Sequence, residues 1–135
     1  MNPDDLYSAL YSYFPETPAL MKHLNPGALW QYEIMEHTLD DGDVKLYFNL
    51  EKISDEEVSM KKGKPGEKPD LILFFTQKAI LHLIKEHPAA DVYFREYKKI
   101  MQNPSPDFDL DNKVNKSKIT LFKKGYRKWQ TEYHF

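Results

Sequence analysis

The sequence predicts an α+β fold in which an antiparallel sheet of about five strands carries helices packed on one face. Three observations predict it. Residues 30–51 alternate apolar and polar side chains with a period of two, the mark of half-buried strands. Residues 77–101 instead space their apolar side chains by three and four, as helices do. In the last twenty residues Ile119, Phe122, Tyr126, Trp129 and Tyr133 continue the helical spacing in a strongly basic surround. With 135 residues, 41% hydrophobic and 30% charged, the chain suits one domain able to bury a core.

Each element has local signals. Asn2-Pro3-Asp4-Asp5 supplies a cap, a first-turn proline and carboxylates suited to a helix N-terminus. The helix buries Leu6, Leu10, Tyr13 and Phe14 and stops at Pro15; Thr17-Pro18 starts a short second one through Leu24. Trp30, Tyr32 and Ile34 then alternate against Gln31, Glu33 and Glu36, and Val44, Leu46, Phe48 and Leu50 against Lys45, Tyr47, Asn49 and Glu51. The turn Leu39–Asp43 between them predicts a hairpin. A third strand holds Val58 and Met60, and the glycines, proline and charges of residues 61–68 form a solvated loop. Leu71–Phe75 is apolar on both faces, as a central strand would be. Thr76 caps a helix to about Glu86, Pro88 separates it from another bearing Tyr93, Phe94, Tyr97 and Ile100, and Asp107–Val114 reads as an edge strand guarded by charge. One domain results, with helices in 1–26, sheet in 28–76, a helix pair in 77–103, an edge strand in 107–115 and a single C-terminal helix in 116–135.

Composition narrows the function. The longest apolar run is far shorter than the ~20 residues of a membrane span, and the acidic N-terminal residues are unlike a signal peptide, so a cytoplasmic protein is expected. The absence of cysteine excludes a disulfide framework and a thiolate metal site. His82 and His87, with Glu86, imitate a zinc helix, but five residues of helix set the two rings about 140° apart. Asp107, Asp109 and Asp111 copy the start of a calcium loop that lacks its glycine and its terminal acid, where Asn112 and Lys118 stand. No nucleophile elbow, phosphate loop or dinucleotide fingerprint occurs, so no catalysis, cofactor or metal is expected. A net charge of -2 argues against general nucleic-acid binding, while Lys123, Lys124, Arg127 and Lys128 form a basic helix face suited to anionic headgroups or a membrane surface.

The order of elements resembles a sterol-carrier-type lipid-transfer domain. The resemblance is carried by Asp70-Leu71-Ile72-Leu73-Phe74-Phe75-Thr76 leading into a helix pair, by Ala90–Met101 as its second helix, and by the returning strand Asp107–Val114. Asp111-Asn112-Lys113 and Asn115 stand where such domains commonly have glycines, and the insertion Asn103–Pro106 is foreign to them. The resemblance implies lipid transport without catalysis, with a fatty acyl, sterol or similar apolar ligand in a tunnel between sheet and helices. Phe48, Leu50, Leu71, Leu73, Phe75, Leu83, Ile84, Phe94 and Phe122 would line the tunnel. Gly125, costly inside a helix, would make room for a ligand or for a closely approaching element.

The alternative is a small interaction module whose aromatic side chains fill the cavity. Tyr47, Ile72 and Phe74 would then form an apolar stripe on the free sheet face and support a homodimer. An enzyme acting on a bound lipid would need convergent polar groups that the sequence does not identify.

Overall fold

The computed structural model describes residues 1–135. Helix α1 (Pro3–Tyr11) and a 3-10 turn (Pro18–Met21) precede β1 (Leu29–Met35), β2 (Val44–Ser54), β3 (Glu57–Lys62) and β4 (Leu71–Thr76). Then come α2 (Gln77–Ile84), α3 (Ala90–Gln102), β5 (Leu110–Val114), α4 (Lys118–Lys123) and α5 (Tyr126–Glu132). The predicted caps form: the Asp5 N–H donates to Asn2 Oδ1 at 2.8 Å and the Ala79 N–H to Thr76 Oγ1 at 3.3 Å. Ser117 caps α4 in the same way, accepting from the Thr120 N–H.

The five strands lie in the order β3-β2-β1-β4-β5. Three of the four pairings are antiparallel as expected, but β1 and β4 run parallel, with Tyr32 opposite Leu73, so the sheet is mixed. Alternation reports which face a side chain takes and carries no information on strand direction. The reversal is made by residues 63–70, which reach at most about 28 Å, enough to recross the sheet diagonally. This loop anchors on the outer face, where the Gly63 N–H donates to the Tyr47 carbonyl and Asn49 Nδ2 to the Gly63 carbonyl. Gln31 and Asn49 are buried on that face despite their polarity, Gln31 donating to Glu33 and Asn49 to the loop.

The inner face carries the core. Tyr32 on β1 stacks between Phe48 on β2, at 4.4 Å, and Phe75 on β4, at 5.8 Å. Phe14, just after α1, packs on Tyr32 and Phe48, and Tyr97 of α3 meets Phe75 edge-on. Lys52 also points inward; its ammonium donates to the Met21 carbonyl and pairs with Asp55, tying the 3-10 turn to β2.

The predicted single C-terminal helix is broken. Gly125 adopts a left-handed φ of 94°, ending α4 and starting α5. The expected apolar stripe divides with it: Tyr126, Trp129 and Tyr133 are buried, whereas Ile119 and Phe122 face solvent. The break is set from outside the helix. Asn25 takes the Lys124 carbonyl with its backbone N–H and the Lys123 carbonyl with its side chain, both at 2.8 Å. That clamp presses the His23 backbone against Gly125, so a closely approaching element, and not a ligand, explains the glycine. A Cβ there would run into the His23 carbonyl oxygen. Gly125→Ala is expected to cost at least about 2 kcal/mol in urea unfolding, from the left-handed backbone and the collision together.

Candidate functional site: an apolar cleft beside a buried carboxylate

Asp70, at the entry to β4, is fully buried. Its Oδ2 accepts from the Leu29 N–H at 3.0 Å and the Tyr126 hydroxyl at 2.8 Å. Its Oδ1 faces the ammonium groups of Lys124 at 2.7 Å and Lys116 at 2.9 Å. Burial pushes the carboxyl up, but the hydrogen bonds from Lys124, Lys116, Leu29 and Tyr126 outweigh it and hold the group below its ordinary 3.8. Tyr126 is driven the other way, first by burial and then by the Asp70 charge, and so stays a neutral donor. Its oxygen also accepts from Trp30 Nε1 at 2.8 Å, which extends the chain of bonds onto β1.

This network pins the C-terminal helices over β1, β4 and β5 and leaves a cleft of about 610 Å³ between them and α3. Such a volume lies within the ~300–1,000 Å³ typical of small-molecule sites. Of its 17 lining residues 13 are hydrophobic. Exposure falls from 60% at Phe122 and 55% at Val114 on the rim to 2% or less at Trp30, Tyr32 and Tyr93 on the floor, so the cleft runs from an exposed mouth to a buried base. At one end Phe135 stacks on Trp129 at 5.0 Å, and Phe94 packs on Tyr133 at 4.5 Å.

The polar groups are few and segregated. Lys118 and Arg127 stand at the cleft without an ion-pair partner, with Asn112 and Gln130 between the apolar walls. Asn112 donates to the Tyr97 hydroxyl at 3.2 Å, and burial raises that phenol to about 12. The hydroxyls of Tyr32 and Tyr93 make no hydrogen bond within the protein, yet no buried polar side-chain atom is left unpaired, so both remain open to the cleft they line. Burial raises both phenols well above their ordinary value, keeping them neutral.

Of the residues expected to line a tunnel, Leu71, Leu73, Phe94 and Phe122 meet in this cleft. Phe48, Leu50, Phe75, Leu83 and Ile84 are buried in the closed core instead and do not reach it. Of the expected headgroup residues, Arg127 lines the cleft and Lys123 and Lys128 border a polar hollow beside it, whereas Lys124 is taken up by Asp70. Tyr47, Ile72 and Phe74 do share the outer sheet face, where they are half-buried, with Lys64 over the Tyr47 ring at 4.8 Å. His82 packs on Phe108 and His87 on Tyr13, far apart in role, since α2 ends before His87. Trp30, Tyr32, Tyr93 and Tyr97 belong to the site and were recognisable only as inward-facing. Which inward residues meet a cleft depends on where the broken C-terminal segment lies.

Fold and site together define an α+β protein with a mixed five-stranded sheet and one apolar cleft with a basic edge. No helix is long and apolar enough to cross a membrane. No protein-family model matches the chain, and no curated protein matches it.

Asp70→Asn removes the charge that Lys116 and Lys124 answer and is expected to cost about 3 kcal/mol. Because the folded carboxyl lies below its unfolded value of 3.8, the stability it contributes is present above that pH and is lost as pH falls through the lower folded value. Urea unfolding across the acid range should therefore show the wild type losing stability more steeply than Asp70→Asn.

Proposed function

We propose that the chain is a non-catalytic lipid carrier of sterol-carrier type, which holds a fatty acyl chain, a sterol or a similar apolar ligand in the cleft between sheet and C-terminal helices. The observation that carries this reading is the cleft itself, about 610 Å³ and walled mainly by rigid aromatic side chains. Burying an acyl chain there is favourable by roughly 0.8 kcal/mol per methylene, so a few methylenes outweigh a hydrogen bond. The polar groups give the ligand a direction. Lys118 and Arg127 suit an anionic or strongly polar head at the rim, and the Tyr32 and Tyr93 hydroxyls offer a hydrogen bond to any polar atom reaching the floor.

Native mass spectrometry of the purified protein, followed by solvent extraction, tests the reading directly. A stoichiometric fatty acid, sterol or phospholipid supports it; a ligand-free mass that persists after incubation with oleate and cholesterol overturns it. Val114→Trp, at an exposed rim position, should leave the fold intact and weaken oleate binding about tenfold in calorimetric titration by excluding about two methylenes.

A further inference from the structure

Four of the seven large hydrophobic side chains that the protein exposes lie together around the cleft. Val114, Phe122 and Phe135 are on its rim, and Ile119, one helical turn before Phe122 on α4, is 70% exposed. The same region is strongly basic: residues 113–128 hold seven lysines and arginines and no acid, in a chain whose net charge is -2. Lys116 and Lys124 are bound to Asp70, and Lys113 belongs to the outer sheet face beside Ile72. That leaves Lys118, Lys123, Arg127 and Lys128 without an ion-pair partner around α4. The carboxylate bordering this arc, Glu132, is engaged by Lys22 and His23.

We propose that α4 is a membrane-docking element, which seats Ile119 and Phe122 among the acyl chains of an anionic bilayer while Lys118, Lys123, Arg127 and Lys128 meet its headgroups. Two features select a bilayer over other acidic partners. Ile119 offers neither stacking nor hydrogen bonding to a nucleic acid, whereas insertion into lipid removes it from water, with the flanking lysines reaching back to the surface. The apolar rim is also continuous with the cleft through Phe122, so a ligand could pass between bilayer and cleft without crossing water; this last point rests on the carrier reading. The helix is fixed from behind by Asn25 and Asp70, so docking needs no refolding.

The test uses variants that spare the cleft, since Ile119, Lys123 and Lys128 do not line it. Sedimentation with phosphatidylcholine vesicles, with and without phosphatidylserine, should show binding that requires the anionic lipid and weakens with salt. Lys123→Glu with Lys128→Glu should weaken it at least about thirtyfold, at ~1 kcal/mol per lysine. Ile119→Ser should weaken it about tenfold through lost insertion. Oleate affinity should be unchanged in both variants. Failure of the wild type to pellet with anionic vesicles overturns docking. So does pelleting indifferent to Ile119→Ser, which would mean electrostatic adhesion alone, or retention of RNA in place of vesicles. Vesicle binding that behaves as stated in a protein that takes up no oleate upholds docking and removes the carrier reading instead.

Discussion

The structure depends on how the Asp70 charge is satisfied. A carboxylate taken wholly out of water costs several kcal/mol unless it is paired and fully hydrogen-bonded, and here both oxygens have two partners each. Those partners come from different parts of the chain. Leu29 is at the start of β1, Lys116 follows β5, and Lys124 and Tyr126 flank the break between α4 and α5. The Asp70 backbone adds bonds to Leu29 and Asn115, so one residue sets the register of three neighbouring strand ends. The same carboxylate decides where the C-terminal segment sits, and the cleft exists because the segment sits there.

The C-terminal segment is held at two ends by different forces. At the Gly125 end the hold is polar and directional, through Asp70 and Asn25. At the other end it is aromatic: Tyr133 packs on Phe94 and donates to the Ala19 carbonyl, while Trp129 donates to the Leu20 carbonyl at 2.8 Å. Between these anchors α5 cannot settle onto the sheet, because Trp30, Tyr32 and Tyr93 are stiff rings already bound or stacked. The space therefore persists between the two anchored ends. The break at Gly125 gives α4 a direction of its own, which is why one half of a uniform apolar stripe is core and the other half surface.

Much of the architecture was legible because its determinants are local. Asn2 and Thr76 cap the helices they precede, the alternation from Trp30 to Leu50 placed each side chain on its proper face, and Pro88 divided the helix pair. What escaped was non-local. The parallel pairing of β1 with β4 is made by the path of residues 63–70, and nothing in either strand marks its direction. The helix break needs Asn25, about a hundred residues from its partners Lys123 and Lys124, and Gly125 alone could be read only as a weak point. Asp70 was visible as the polar start of an apolar strand, without a sign that two lysines would converge on it. The inward aliphatic set was correct for the core as a whole, and Leu83 and Ile84 differ from Leu71 and Leu73 only in what happens to lie across from them.

Trp30 and Trp129 are the only two tryptophans in the chain, and they meet edge-to-face at 5.7 Å on the wall of the same cleft. Each indole is immobilised by its own hydrogen bond, one to Tyr126 and the other to Leu20. The intrinsic fluorescence of the protein thus originates almost entirely at one place. Its colour and polarisation follow the dielectric and rigidity of that cleft, while events on the far face of the sheet leave the signal dark. The molecule carries its own optical probe, already positioned, and needs no label.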